Sequence, residues 1–426
     1  MSDDAAHEPA PADDVLTRVH REEHSRLLAT LVRRFGDLDL AEDAAQEAME
    51  AALRSWPAQG VPEQPLAWLT TVAKRVALDR VRRDAAYARR LAELHVQEGA
   101  DPAPPADEGA LAAGDLPDER LAMLMGCCHP AIAPADRIAL MLRFVGSLST
   151  AEVAQALLVP VTTLQARITR AKRRIAERRI PLTVPADPAE RERRLPLVLT
   201  AISLVFTEGY AATGGDAPIR RELTAEAIRL ARITHRLLPA AAEPQGLLAL
   251  LLLTDARSPA RQDADGVPIP LEDQDRSRWD RDLIEEGLVL VEQAAGRADA
   301  GRFTIQAAIA ALHVEARDFA ATDWAQIVAL YSLLLQQGED PVVRMNRAIA
   351  VGRARTPQDG LVLLEELAGE PELAQHHPFH VALAQFHEEV GRPAAAVAAW
   401  RRALELVDNR AERRFIERRL ERARRG

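Results

Sequence analysis

The sequence predicts an all-α protein. Three observations carry that expectation. Aromatic residues make up only 4% of the chain, good helix formers such as Ala, Leu, Arg and Glu outnumber strand formers, and apolar residues recur at helical spacing. With 426 residues, 48% hydrophobic and 28% charged, the chain is long enough for several domains and a sizeable core. Its net charge of −10 excludes a uniformly basic nucleic-acid binder, so any such role belongs to local patches. The two cysteines, Cys127 and Cys128, are adjacent, which excludes a disulfide framework and points to a reducing compartment. The start is acidic (Ser2, Asp3, Asp4), unlike a signal peptide, and the most apolar run, 247–253, is far too short to span a membrane. A cytoplasmic protein without membrane association is expected.

Element by element, residues 1–14 read as a disordered N-terminus. Residues 15–95 read as a first helical domain. Leu27, Leu28, Leu31, Val32 and Phe35 mark its first long helix, which Gly36 closes. The string Asp39-Leu-Ala-Glu-Asp-Ala-Ala-Gln-Glu47 opens an acidic amphipathic helix with Asp39 as its expected cap. Glu42, Asp43, Gln46 and Glu47 dominate one surface, suited to a basic protein partner. Pro65 then opens a helix whose expected buried stripe is Leu66, Leu69, Val72 and Val76. Residues 74–90 hold seven Lys/Arg against two Asp. A Trp, threonines and a basic ridge on one helix suit phosphate tracking and base contact on opened DNA. Residues 96–116 read as a flexible acidic linker, since 96–119 carries seven acidic residues and no basic one.

Residues 117–180 read as a second helical domain with the sharpest local signal. Ser149 and Glu152 form a capping box, a tight turn follows at 157–159, and Pro160 opens a second helix. Leu164, Ile168, Ala171 and Ile175 make its apolar stripe. Residues 165–182 hold seven Lys/Arg and one Glu. This is a helix-turn-helix, whose second helix presents its first residues to base edges in the major groove. Thr162, Thr163, Gln165 and Ala166 lie where bases are read, and Arg167, Arg170, Arg173 and Arg174 where phosphates are bound. Leu158 stands in the turn, where Gly is common.

Residues 181–190 read as a short linker and 191–426 as a helical extension. One interruption is expected at Asp263-Ala-Asp-Gly266 with Val267-Pro-Ile-Pro270, a turn or short hairpin. Helix pairs begin near Phe303, Pro341 and Pro378, and Leu383, Ala384, Gly391, Ala396, Trp400 and Ala403 fit a tetratricopeptide-like repeat. His387 and Asp408-Asn409 depart from that pattern. The closing helix, with eight Arg against three Glu over 410–425, reads as a solvated cap of the array. The charged string 273–280 reads as an internal salt-bridge network around Trp279, and Cys127 and Cys128 as small buried residues. His20 and His24 have a zinc-peptidase spacing but no third ligand. No metal, cofactor or catalytic residue is expected, and no phosphate loop, nucleophile elbow or dinucleotide fingerprint is present.

The succession of acidic helix, Trp-Leu basic helix, acidic linker and helix-turn-helix resembles a bacterial extracytoplasmic-function sigma factor. The string Ala41-Glu-Asp-Ala-Ala-Gln-Glu47 is similar to the region that docks on RNA polymerase core. That resemblance implies contact of Glu42, Asp43, Gln46 and Glu47 with the β′ clamp helices. The helix from Trp68 to Arg83 is similar to the segment that opens and reads the −10 element, which implies that role for Trp68, Thr71, Lys74, Arg75, Asp79, Arg82 and Arg83. The helix-turn-helix is similar to the −35 reader, with the β flap as its polymerase contact. Phe206-Thr-Glu-Gly-Tyr210, Asn346-Arg-Ala-Ile-Ala-Val351 and Cys127-Cys-His-Pro130 resemble the subgroup with a large tetratricopeptide-like extension. The function this implies is promoter-specific initiation, without enzymatic activity, set by an extension that either acts in cis against the sigma domains or receives a protein or peptide partner. The alternative is a helix-turn-helix regulator with a helical sensor domain.

Overall fold

The computed structural model describes residues 12–94, 118–146, 148–157, 159–212 and 219–425. Among these, every regular element is helical. The expected linker at 96–116 and Leu158 lie outside the described residues. So does the expected disordered N-terminus except for 12–14, which open the first helix instead. The chain divides into two compact units, 1–201 and 202–426.

In the first unit, α1 (Ala12–Phe35), α2 (Leu38–Gln59) and α3 (Pro65–Leu94) pack pairwise on one another. Gly36, at φ +68°, ends α1 in the left-handed region that favours glycine. Ala41, Ala44, Ala45, Ala48 and Ala52 line the buried face of α2 with no exposed area, so its neighbours approach closely. Two expectations are corrected here. The cap of α2 is Asp37, whose carboxylate accepts from the Asp39 and Leu40 amides at 2.8 and 3.0 Å; Asp39 sits in the first turn. The fully buried stripe of α3 is Leu69, Ala73 and Ala77, while Leu66, Val72 and Val76 are half-buried.

The second bundle of this unit comprises α4 (Glu119–Cys127), α5 (Pro134–Phe144), α6 (Thr150–Ala156) and α7 (Val161–Arg178). The capping box of α6 forms as expected: Glu152 accepts from the Ser149 amide at 2.6 Å, and the Ser149 hydroxyl accepts from the Glu152 amide at 3.2 Å. Leu164, Ala171 and Ile175 bury the inner face of α7, with Ile168 half-buried. Cys127 and Cys128 are buried, and burial raises both thiols, Cys128 to about 12.

The division between the units falls within α8 (Pro188–Tyr210). The second unit continues with α9 (Arg221–Leu237), α10 (Ala242–Asp255), α11 (Arg281–Ala295), α12 (Arg302–Glu315), α13 (Trp324–Gln337), α14 (Pro341–Ala354) and α15 (Pro357–Glu366). It closes with α16 (Pro371–Ala374), α17 (His377–Glu389), α18 (Pro393–Leu406) and α19 (Arg410–Arg425). From α12 onward helices pack on their neighbours in chain order, α13 on α14, α14 on α15, α17 on α18 and α18 on α19, in line with the repeat spacing. The apolar run 247–253 is the core helix α10, which packs against α9, α11 and α12. No described helix is long and apolar enough to cross a membrane.

The expected hairpin is a turn around Gly266 at φ +73° with a single bridge between Gln262 and Pro268. In the 273–280 string, Arg276 stacks on Trp279 at 4.5 Å and donates to the carbonyls of His313 and Ala316. Asn409, one of the departures from the repeat, caps α19 by accepting from the Ala411 amide at 2.9 Å, and it also donates to the Ala212 carbonyl.

Candidate nucleic-acid interface

In the first unit the charged side chains singled out by the sequence lie on three helices, α2, α3 and α7. On α7 the leading turn is bare: Val161, Thr162, Thr163, Gln165 and Ala166 are all exposed. Pro160 precedes this turn without a side-chain cap, so the first amide groups of α7 stay available to an anion. Arg167 is half-buried and Arg174 exposed, and neither has an acidic partner among the described residues. Arg170 reaches Asp136 at 3.6 Å, and Arg173 reaches Glu177 one turn ahead at 3.5 Å. Both pairs keep their arginines more than half exposed, so they are weak and exchangeable. Hydrogen-bonding side chains at the helix start followed by exposed guanidinium groups can meet base edges and flanking phosphates together.

On α3, Trp68 is half-buried and packs edge-on against the buried Trp56, with ring centroids 5.6 Å apart. This packing fixes one edge of the indole and leaves part of its surface open to stack. Thr71, Arg75, Asp79, Arg82 and Arg83 are exposed and Lys74 half-buried. The Thr71 hydroxyl donates back to the Ala67 carbonyl at 2.8 Å, which leaves its oxygen free to accept. Asp79 lies 3.9 Å from Arg82, and Arg83 donates to the Asp79 carbonyl.

The acidic face of α2 is split. Gln46 and Glu47 are exposed, with Gln46 donating to Glu50 at 3.3 Å. Glu42 and Asp43 are engaged within the unit: Asp43 pairs with Arg80 of α3 at 2.6 Å, and Glu42 with Arg143 of α5 at 3.3 Å and with Lys172 of α7. Lys172 also holds Asp39 at 2.6 Å. Burial works against its charge, yet hydrogen bonds to Asp39 and Glu42 hold the ammonium above its usual range. Sequence reasoning did not single out Arg80, Arg143 or Lys172. Lys172 was visible only as one of a basic run, because its partners lie some 130 residues away.

The comparisons with known proteins follow this layout. Residues 20–87 match the family described as Sigma-70 region 2, residues 122–175 match Sigma-70, region 4, and residues 194–295 match a family of unknown function, DUF6596. An uncharacterized protein of Rhizobium meliloti (strain 1021) is 40% identical over 394 residues, 92% of each chain. No solved structure matches.

Proposed function

The chain belongs to the sigma-70 family as an extracytoplasmic-function sigma factor with a C-terminal extension, and on that premise we propose how its residues divide the work of promoter-specific initiation. Glu42, Asp43, Gln46 and Glu47 of α2 dock on the β′ clamp helices of polymerase core. Trp68, Thr71, Lys74, Arg75, Asp79, Arg82 and Arg83 of α3 capture the −10 element as it opens, where splayed bases stack on an aromatic ring and cations track the backbone. Thr162, Thr163, Gln165 and Ala166 of α7 read the −35 duplex while Arg167, Arg170, Arg173 and Arg174 hold its phosphates, and the same domain contacts the β flap. The protein supplies binding energy and strand selection, and the polymerase makes the RNA. This places its work in the cytoplasm.

The observation that carries this reading is the uncapped, exposed start of α7, with hydrogen-bonding residues first and then Arg167 and Arg174 without an acidic partner among the described residues and Arg170 and Arg173 in exposed, weak pairs. We take the functional domains to run over 15–95 and 117–180, followed by the extension at 191–426. That extension sets activity by receiving a protein or peptide on its helical array. A helix-turn-helix operator binder accounts for α7 but not for the match to Sigma-70 region 2. The test is footprinting with core polymerase. Arg167→Ala removes protection at −35 and leaves core binding intact, whereas Glu47→Lys weakens core binding. Unchanged protection with Arg167→Ala overturns the assignment of α7.

A further inference from the structure

The extension holds a cavity with no part in the promoter contacts proposed above. Its volume is about 250 Å³, and it lies among α12, α13, α14, α17 and the segment 270–272, all within the second unit. Two kinds of side chain line it. Trp324 gives it an aromatic wall, its ring edge-on to Phe319 at 5.1 Å and to His313 at 5.3 Å. Tyr331, Asn346 and Gln385 line the same space, all half-buried, and none makes a side-chain hydrogen bond among the described residues. A packed interior pairs its polar groups or excludes them. Hydrogen-bonding side chains from three helices, left open together in one aromatic cavity, are instead what a ligand site presents. Asn346 also opens the string 346–351, which the polymerase and DNA contacts leave without a role.

The sign of the ligand follows from what lies behind His313. Arg276 donates to the His313 carbonyl at 2.7 Å and lies over Trp279 at 4.5 Å, and Arg257 covers the same ring at 5.9 Å. Neither arginine has an ion-pair partner among the described residues, and Arg276 Nη2, Arg257 Nε and His313 Nδ1 are buried without a hydrogen bond. Asp318 offsets Arg276 in part, but it is itself paired with Arg317 at 3.0 Å. Arg353 on the cavity wall is neutralised by Glu389 at 2.9 Å. Glu272, which also lines the cavity, is exposed, so water and salt screen it. The field that remains is positive, and together with burial it keeps the His313 ring neutral.

We propose that this cavity binds a small organic carboxylate with a flat aromatic body, the ring against Trp324 and the carboxylate accepting from Tyr331, Asn346 and Gln385. Its size, just below the usual span of about 300–1,000 Å³, admits a single ring and excludes a nucleotide. A ligand held there joins α13, α14 and α17 and gives the extension a chemical input. That input is independent of any protein the extension receives and of the roles proposed for α2, α3 and α7.

The experiment is a ligand-observed NMR titration of the full chain with benzoate, its isosteres benzamide and benzamidine, and acetate. Benzoate is expected to bind on the order of tenfold more tightly than benzamide or acetate, and benzamidine to be rejected. Tyr331→Phe weakens benzoate on the order of tenfold, through loss of one hydrogen bond to a charged group. Asn346→Asp and Gln385→Glu keep the side-chain shape and reverse the sign. Each loses benzoate and gains benzamidine, an exchange that a misfolded chain does not give. Absence of benzoate binding to the wild-type chain up to about 10 mM overturns the site, because even single-ring fragments register in that range. Benzamide or benzamidine bound as tightly as benzoate overturns it too, as does benzoate binding that all three substitutions leave unchanged.

Discussion

Helices α7 and α19 are both arginine-rich and amphipathic, and they use that charge in opposite ways. On α19, Arg418 pairs with Asp263 and Asp265 at 3.1 and 3.5 Å, Arg419 pairs with Glu388 at 2.7 Å and lies over Trp400, and Arg413 donates to the Val407 carbonyl. Its exposed Arg414 and Arg422 are interleaved with Glu417 and Glu421. On α7, Arg167 and Arg174 have no acidic partner among the described residues, and the turn ahead of them presents Thr162, Thr163 and Gln165 to solvent. Charge density is similar in kind; what differs is commitment. A basic helix whose cations are paired with or interleaved among acids of its own domain closes an array, and one that keeps Arg167 and Arg174 free of acidic partners behind a polar first turn is fitted to a polyanion.

Breaking the open set should have the largest effect. Arg167→Ala with Arg174→Ala is expected to weaken promoter binding on the order of a hundredfold, about tenfold per contact, and to reduce the salt dependence of binding. Fluorescence anisotropy at several salt concentrations measures both, and the melting temperature should not move.

A second prediction concerns acid stability of the C-terminal unit. Burial, reinforced by Arg257 and Arg276, lowers His313 from 6.5 to about 4. Between those values the unfolded chain binds the proton and the folded chain does not, so stability rises with pH across that window and is fully present above it. Acidification from pH 7 to 4 should therefore cost on the order of 2–3 kcal/mol through this group. Denaturant titrations of His313→Gln should show a flatter profile over the same range, with promoter affinity unchanged at neutral pH.

Arg419→Ala should destabilise the C-terminal unit by about 1–2 kcal/mol through loss of a half-buried ion pair and of ring packing. Equilibrium unfolding checks this, and promoter affinity should hold. The smallest effect is at the end of α7, where Arg179 adopts φ +47°. Arg179→Gly relieves left-handed strain and should stabilise the first unit by up to about 1 kcal/mol, read as a rise in melting temperature.

The helix-turn-helix was legible because its determinants are local: Ser149 with Glu152, Pro160, and a stripe of period 3.6 from Leu164 to Ile175. The cap of α2 was misread because two aspartates stand two residues apart, and backbone geometry selects Asp37 over Asp39. The stripe of α3 was misread because size was taken for burial. Tight helix packing favours Ala73 and Ala77, which sequence inspection passes over beside Val72 and Val76. Long-range partners left no local trace. Glu243, for example, accepts from the amides of Gly301, Phe303 and Thr304 and so caps α12 from some 60 residues away. The grip of Lys172 on α2 is of the same kind, and it changes the reading of Glu42 from a free docking residue to a contested one.

The most direct test is run-off transcription with purified full-length chain, core polymerase and a promoter template. The account predicts promoter-dependent transcripts that Arg167→Ala with Arg174→Ala nearly abolishes and that Arg418→Ala leaves unchanged. Transcripts that fall equally with the α7 and α19 substitutions, or that survive both, would contradict it.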